Sequence, residues 1–279
     1  RQIAQVLVTE HHLPVQRACR VVRLSRAAYY QPRRSSTVRD AAVIDALNAL
    51  VAAHGRWGFW KLFDRLRAQG QTWNHKRVHR VYCALRLNLP RRAVRRVPKR
   101  VRQPLEAPRT LNQTWAMDFM SDTLYDGRRV RALTIIDEGN REALDIVVAA
   151  SLPSLRVTRV LDALALVHGA PHAIRVDNGP EFLAQTFVEW CAAHGTAIHH
   201  IQPGKPDQNA YIERFNRTYR TEVLNANVFE SLEELQALTD TWLRVYNEER
   251  PHDSLGRVPP LTFLPRPQPV AASPLEVSA

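Results

Sequence analysis

The sequence lacks any apolar run long enough to span a membrane, and it does not open on a secretory signal. Cysteine is scarce. Cys19, Cys83 and Cys191 stand far apart and none belongs to a C-x-x-C pair, so no zinc site or disulfide framework is indicated and a reducing cytoplasm fits. Acidic residues are scarce in the front part: residues 1–110 hold 24 Lys+Arg against 5 Asp+Glu, a net of +19, while the rest carries −7. The whole chain is therefore +12. Such a front half calls for a polyanionic partner, and nucleic acid is the usual one. A merely soluble basic surface is the competing reading. The remainder is ordinary for a globular protein: 279 residues with 45% apolar content can support two or three domains. The first residue is Arg, not Met, so the chain is expected either to be a fragment or to lie downstream of another coding segment.

The pattern divides the chain into five stretches. Residues 1–38 read as a helix-turn-helix-like segment: Val15, Ala18 and Val22 have helical spacing, Ser25 is placed to cap the next helix, and Arg23 sits where such turns often use Gly. Residues 39–90 read as a helical DNA-binding insert of three helices. The first two close at Gly55 and Gly70, and Asn74 caps the third. That third helix has an apolar stripe (Val78, Val81, Tyr82, Leu85) with Lys76, Arg77 and Arg80 elsewhere, which suits a major groove or simply a solvated face. Residues 91–110 are a basic, Pro-rich linker that could track phosphates. Residues 111–265 follow the order β-β-β-α-β-α-β-α, a mixed α/β pattern with a meander first. Residues 266–279 read as a disordered tail.

Three acids stand out by position. Asp118 lies inside the first strand, Asp177 ends the fourth, and Glu213 lies in the helix after the fifth; residues 178–212, 35 in all, separate the last two. If the first and fourth strands are neighbours, the aspartates lie side by side and the helix can bring Glu213 over them. Converging carboxylates repel, and a divalent cation relieves the repulsion. Mg²⁺ suits such oxygen ligands, and two ions about 3.5–4 Å apart can serve phosphodiester displacement. Each acid also has a plainer reading: an edge aspartate, an Asp-Asn-Gly turn, an ordinary helical glutamate. Asp122 shares a strand face with Asp118 and rivals it as a ligand. Asp207 could bind metal or cap the helix.

At these residues the chain resembles the DDE transposases of the insertion-sequence-three family, in the retroviral-integrase superfamily. "WAMDFMSD" resembles the family's first-Asp strand, "VDNGPEF" its second-Asp block, "GKPDQNAYIERFNRTYRTEVLN" its Glu helix and "YNEERPHDSLG" its C-terminal signature. "RWGFWKL" and "NHKRVHRVY" resemble its helical insert. The resemblance covers nearly the whole chain. It implies an RNase H-like catalytic core, a mixed five-stranded sheet with helices, preceded by small all-α DNA-binding segments. It implies Mg²⁺- or Mn²⁺-dependent cleavage and strand transfer at the ends of a bacterial insertion sequence. It assigns Asp118, Asp177 and Glu213 as catalytic and metal-binding residues, preferring Asp118 over Asp122. The implied partners are double-stranded DNA (terminal repeats and target), further copies of the chain and an upstream-frame protein or fusion, with no membrane. The implied location is the nucleoid-associated cytoplasm. The chain departs from the family pattern at Arg257 and Pro259, where Tyr and Thr are frequent, and that bears on how the tail packs.

Further candidates for DNA contact surround the acids. Lys205 lies in the loop before the Glu helix. Asn209 precedes Glu213 by four and is expected to share its face. Arg214, Arg217 and Arg220 form a basic flank suited to phosphates. Gly179 is expected to supply backbone freedom beside Asp177. Trp115 reads as core, and His199 and His200 as structural. Two other functions compete with a transposase: an inactive remnant that only binds element ends, and a nuclease of the same fold acting on RNA–DNA hybrids.

Overall fold

The helical spacing of the front part produces six helices in a computed structural model, which describes residues 1–30, 36–90, 110–202 and 209–266. Helices α1 (Gln2–Thr9), α2 (Val15–Val21) and α3 (Arg26–Tyr30) come first. Ser25 caps α3 as expected, its Oγ accepting from the Ala28 N–H at 3.1 Å. Arg23 adopts φ +52° in the turn, the left-handed conformation that glycine would take without strain.

The insert comprises α4 (Ser36–Ala53), α5 (Phe59–Ala68) and α6 (His75–Ala84). Helix α4 runs across the boundary expected at residue 39, because Ser36–Asp40 continue its turns. Leu47, Leu62, Leu66, Val78 and Val81 form the insert's own core. Asn74 caps α6, accepting from the Lys76 N–H at 2.8 Å.

The alternating pattern after residue 110 becomes a five-stranded sheet. Its strands are β1 (Thr114–Thr123), β2 (Arg129–Asp137), β3 (Ala143–Ala149), β4 (Ala173–Val176) and β5 (Ala197–His200), in the order β3-β2-β1-β4-β5. The meander β1–β3 is antiparallel, and β4 and β5 run parallel to β1. The period-2 alternation of β1 separates two cores. Trp115, Met117 and Phe119 face α7 (Ser154–His168), the short α8 (Pro180–Leu183) and α9 (Gln185–Ala193). Ala116 and Met120 face the other way, with Ile212, Phe215 and Tyr219 of α10 (Ala210–Tyr219) and Leu235 and Tyr246 of α11 (Leu232–Glu248). Asp118 shares this second face. Helix α10 ends in a π-helical turn, Arg220–Leu224, and a short α12 (Pro260–Phe263) closes the described chain.

Strand β3 is a sheet edge, and two side-chain amides cover it. Asn247 pairs with both main-chain groups of Ala143 at 2.9 and 2.8 Å, and Gln236 bonds the Val148 N–H and the Ile146 carbonyl at 2.8 and 2.9 Å. The edge thus has fewer free groups for a foreign strand. In the Asp-Glu-Gly-Asn turn, a Cβ on Gly139 would stand 2.3 Å from the Thr110 carbonyl oxygen, so only glycine fits.

Arg266, expected to begin a frayed tail, is instead bound. Its guanidinium donates to Asp137 at 2.8 Å and to Asn112 at 3.0 Å, and it pairs with Glu142. Two buried carboxylates need a cation, and Arg266 supplies it. The rest of the tail and most of the Pro-rich linker lie outside the described residues.

Candidate active site

Two neighbouring strands and one helix place the acids. Because β4 pairs in parallel with β1, with Ala116 opposite Arg175, Asp118 and Asp177 each lie two residues further along on the same face. Helix α10 covers that face. Glu213 on this helix is exposed, and the next turn carries Asn216, 8% exposed. Asn216 donates from Nδ2 to Asp118 Oδ2 at 2.8 Å and accepts from Thr134 Oγ1 at 2.9 Å. Thr134 also contacts the Asp118 carbonyl oxygen at 3.1 Å. The Phe119 N–H donates to Asp118 Oδ1 at 2.8 Å. The Asp118 carboxylate is therefore held at both oxygens, by its own strand and by α10, while Thr134 on β2 holds Asn216 and the Asp118 main chain.

Asp177 is held by its own turn. The Gly179 N–H donates to its Oδ1 at 2.9 Å, and the Ile201 N–H bonds the Val176 carbonyl at 3.0 Å. Gly179 has φ −63°, which any residue adopts, so backbone freedom is not why glycine is there. A Cβ would stand 2.9 Å from Asp177 Oδ1, so glycine instead provides space. Arg131 pairs with Glu181 and lies 4.3 Å over Phe119, tying the segment after Asp177 to β2.

Electrostatics link the three acids. Burial pushes the Asp118 carboxyl up to about 6; the charges of Asp177 and Glu213 add to the rise, and the Phe119 N–H and Asn216 amide oppose it. None of the three lies within ion-pair distance of a cationic side chain among the described residues. Carboxylates gathered without a counter-charge are a donor set that suits a hard divalent cation. As placed they do not close on one point: among the described residues no three His, Cys, Asp or Glu side chains form a group able to hold an ion. The aspartates are fixed on the sheet, and the exposed Glu213 stands over them.

The other candidates take different places. Asp122 pairs with Arg220 at 3.3 Å and caps the Thr123 N–H, so the rival ligand is engaged at the strand end. Asn209 does not share the exposed face of Glu213, because it is the residue before α10 and is 3% exposed. Arg214 and Arg217 are exposed on α10, and Lys76 is exposed on α6. Arg77 and Arg80 both bind the buried Asp40, at 2.8 and 2.6 Å, and hold α6 to α4. His200 approaches the Asp177 carbonyl oxygen at 3.3 Å. Lys205 and Asp207 lie outside the described residues. The sequence pattern does not mark Thr134 or the contact of Asn216 with Asp118, because nothing in a strand threonine or a helical asparagine announces partners that only the fold brings together.

The insert meets the core through the C-terminal signature. Arg65 pairs with Glu249, Lys61 lies 3.9 Å from Asp253, and Arg257 binds Asp64 at 2.7 Å while stacking 4.4 Å over Trp60. Arg257, a departure from the family pattern, thus packs the tail against the insert.

An integrase core domain model matches residues 108–206, a second integrase core domain model matches 194–260, and an HTH-like domain model matches 38–96. With the observed sheet order, these define an RNase H-like core of the integrase class behind an HTH-like domain. The chain is 38% identical over 261 residues to an uncharacterised 31.7 kDa protein of insertion element IS407 from Burkholderia multivorans, covering 92% of this chain and 93% of that one. It is 39% identical over 257 residues to an uncharacterised 39.2 kDa protein of insertion element IS476 from Xanthomonas euvesicatoria, covering 90% and 73%. It is 25% identical over 245 residues to the transposase InsD of the insertion element IS2A/D/F/H/I/K from Escherichia coli, covering 83% and 81%. The chain belongs to the family of bacterial insertion-element transposases built on an integrase core domain. Among its described residues no helix is long and apolar enough to cross a membrane.

Proposed function

We propose that this chain cleaves DNA at the ends of its insertion element and joins the freed 3′-hydroxyls to target DNA, with Asp118, Asp177 and Glu213 as the acting carboxylates. The observation that carries this reading is the parallel pairing of β1 with β4, which sets Asp118 and Asp177 on one face beneath the helix of Glu213. The three carboxylates suit Mg²⁺ or Mn²⁺, in one or two ions, which when bound would activate the attacking oxygen and stabilise the leaving one.

The chain's own residues prepare that chemistry. Asn216 and the Phe119 N–H keep the Asp118 carboxylate in one orientation, and the Gly179 N–H does so for Asp177. Arg214 and Arg217 line the outer side of the Glu213 helix, where strand phosphates would pass. Lys76 and the rest of the insert would hold the flanking duplex, with Arg77 and Arg80 giving at most the parts of their guanidinium groups left free by Asp40. Lys205 and Asn209 lie next to the site in sequence. Two element ends must be held together for transfer, so the working form contains more than one copy, with or without an upstream-frame segment.

The test is cleavage of a labelled duplex bearing an element end, with Mg²⁺ or Mn²⁺, by the parent chain and by Asp118→Asn, Asp177→Asn and Glu213→Gln. The expected result is nicking and strand joining by the parent, lost in each variant while DNA binding stays. Equal metal-dependent cutting by parent and variants would refute the assignment. Binding with no cutting by the parent, alone or fused to an upstream segment, would leave an element-end binding protein.

A further inference from the structure

The helical insert gathers aromatic rings at its surface, where the start of α5 meets α6. Phe59 and Trp60 open α5, and His75 and His79 lie one turn apart on one face of α6. Their rings stand close together. Centre to centre, Phe59 is 5.1 Å from Trp60 and 4.7 Å from His79, and Trp60 is 6.1 Å from His75. The four rings line one hollow of about 340 Å³, and Lys76 and Arg80 complete its lining. Packing does not explain the group. Phe59 rests on the insert's core, but Trp60 is 50% exposed and both histidines are exposed. Arg257 of the C-terminal signature lies 4.4 Å over Trp60 and binds Asp64 at 2.7 Å, so contacts from the core hold this ring in place.

The lining decides what the hollow takes. Its size falls within the roughly 300–1,000 Å³ usual for small-ligand sites. It offers ring faces together with two cations. Lys76 takes part in no ion pair among the described residues, and Arg80 binds Asp40 through one Nη only, at 2.6 Å. A cationic guest would be repelled by these two side chains, and a plain apolar one would leave their charges unanswered. A planar ring joined to an anion answers both features. A nucleobase with its own phosphate is such a group, and the net charge of +19 over residues 1–110 favours it further. In a paired duplex a base shows only its edges, and its face is free only when it leaves the stack.

We propose that Phe59, Trp60, His75 and His79 form a pocket for one unstacked base of the element's DNA, with Lys76 and Arg80 on the phosphate beside it. Trp60 is the stacking platform. Arg257 covers one face of its ring without lining the hollow, which leaves the other face to the base. A base held this way marks a place where the duplex is opened, so the insert would recognise more than a paired groove. The pocket rests on DNA being the partner, as proposed above, but not on the cleavage chemistry.

The experiment is equilibrium binding of the full chain, in EDTA, to labelled DNAs of one length: an oligothymidine strand, an abasic strand with the same phosphates, and a paired element-end duplex. The parent is expected to bind oligothymidine more tightly than the abasic strand. Trp60→Leu is expected to lose about 5- to 150-fold on oligothymidine, the range for removing one base–aromatic stack, and nothing on the abasic strand. Trp60→Phe should keep most of the preference for bases, and His79→Leu should lose part of it. Tyr125→Leu, at a ring 77% exposed between β1 and β2, is the control and should behave as the parent. Equal losses by Trp60→Leu on both single strands, or no loss on either, would overturn the pocket. So would a loss confined to the duplex, because the ring would then touch base edges in a groove. His79 is exposed on α6, so His79→Leu decides the same comparison even if Trp60→Leu folds poorly. A parent that binds the duplex, matched by Trp60→Leu on every DNA, would remove the pocket and leave the DNA reading. A parent that binds none of the DNAs would remove both. The expected pattern together with no metal-dependent cutting would remove the catalytic reading alone.

Discussion

Asn216 offers the sharpest perturbation of the site that leaves the acids in place. Its side chain is 8% exposed and donates to Asp118 Oδ2 at 2.8 Å. A hydrogen bond to a charged group contributes about 1.5–3 kcal/mol. In Asn216→Ala the Thr134 hydroxyl keeps its contact with the Asp118 carbonyl at 3.1 Å, so no second buried group is stranded. The expected loss of folding stability is therefore about 1.5–3 kcal/mol, read from urea unfolding. The activity loss should be larger than stability explains. A carboxylate freed from its outer partner loses orientation, and such changes typically cost about 10–100-fold in metal affinity or activity. The assay is cleavage of a labelled element end at saturating protein, with DNA affinity measured beside it. Thr134→Val should have a smaller effect, since Asn216 can still reach Asp118. The double variant should cost less than the sum of the singles, because Thr134 acts on the Asp118 carboxylate through the Asn216 amide it bonds. Parent-like cleavage by a folded Asn216→Ala would refute the view that this amide positions Asp118.

Other predictions follow from the same contacts. Arg250→Met would strand the buried Glu222, whose remaining partner is Trp242 Nε1 at 3.1 Å, and should destabilise by about 3–5 kcal/mol in urea unfolding. Gly139→Ala would set a Cβ 2.3 Å from the Thr110 carbonyl oxygen and should cost about 1–3 kcal/mol or more in the same measurement. Asp145 has its carboxyl raised above the ordinary value by burial, with the Ile146 N–H opposing and Asp240 adding. A raised folded value means the group costs stability above it, and that cost vanishes as the acid is protonated. Asp145→Asn should therefore be the more stable form at neutral pH, and the gap should close as pH falls through the carboxylate range; a gap independent of pH would contradict this.

Much of the architecture was legible because local physics writes it into the chain. Alternation in "TWAMDFMSDT" separated the two faces of β1, and Trp115 and Ala116 lie in opposite cores as that period requires. Ser25 and Asn74 announced helix starts through side chains that accept backbone N–H groups. Motif spacing pointed to Asp118, Asp177 and Glu213. What the sequence by itself could not carry were contacts between residues far apart in it. Thr134 and Asn216 meet only because β2 pairs with β1 and α10 lies across them. Arg266 looked like the start of a frayed tail until the fold brought it to two buried acids. Arg77 and Arg80 read as free charge on a helix, yet Asp40 on another helix claims both. Gly179 looked like a concession to the backbone, and packing made it a concession to a carboxylate. Periodicity and caps are properties of a few consecutive residues, so sequence determined them. Partnership between charges depends on which surfaces burial brings together, and only the tertiary structure decided that.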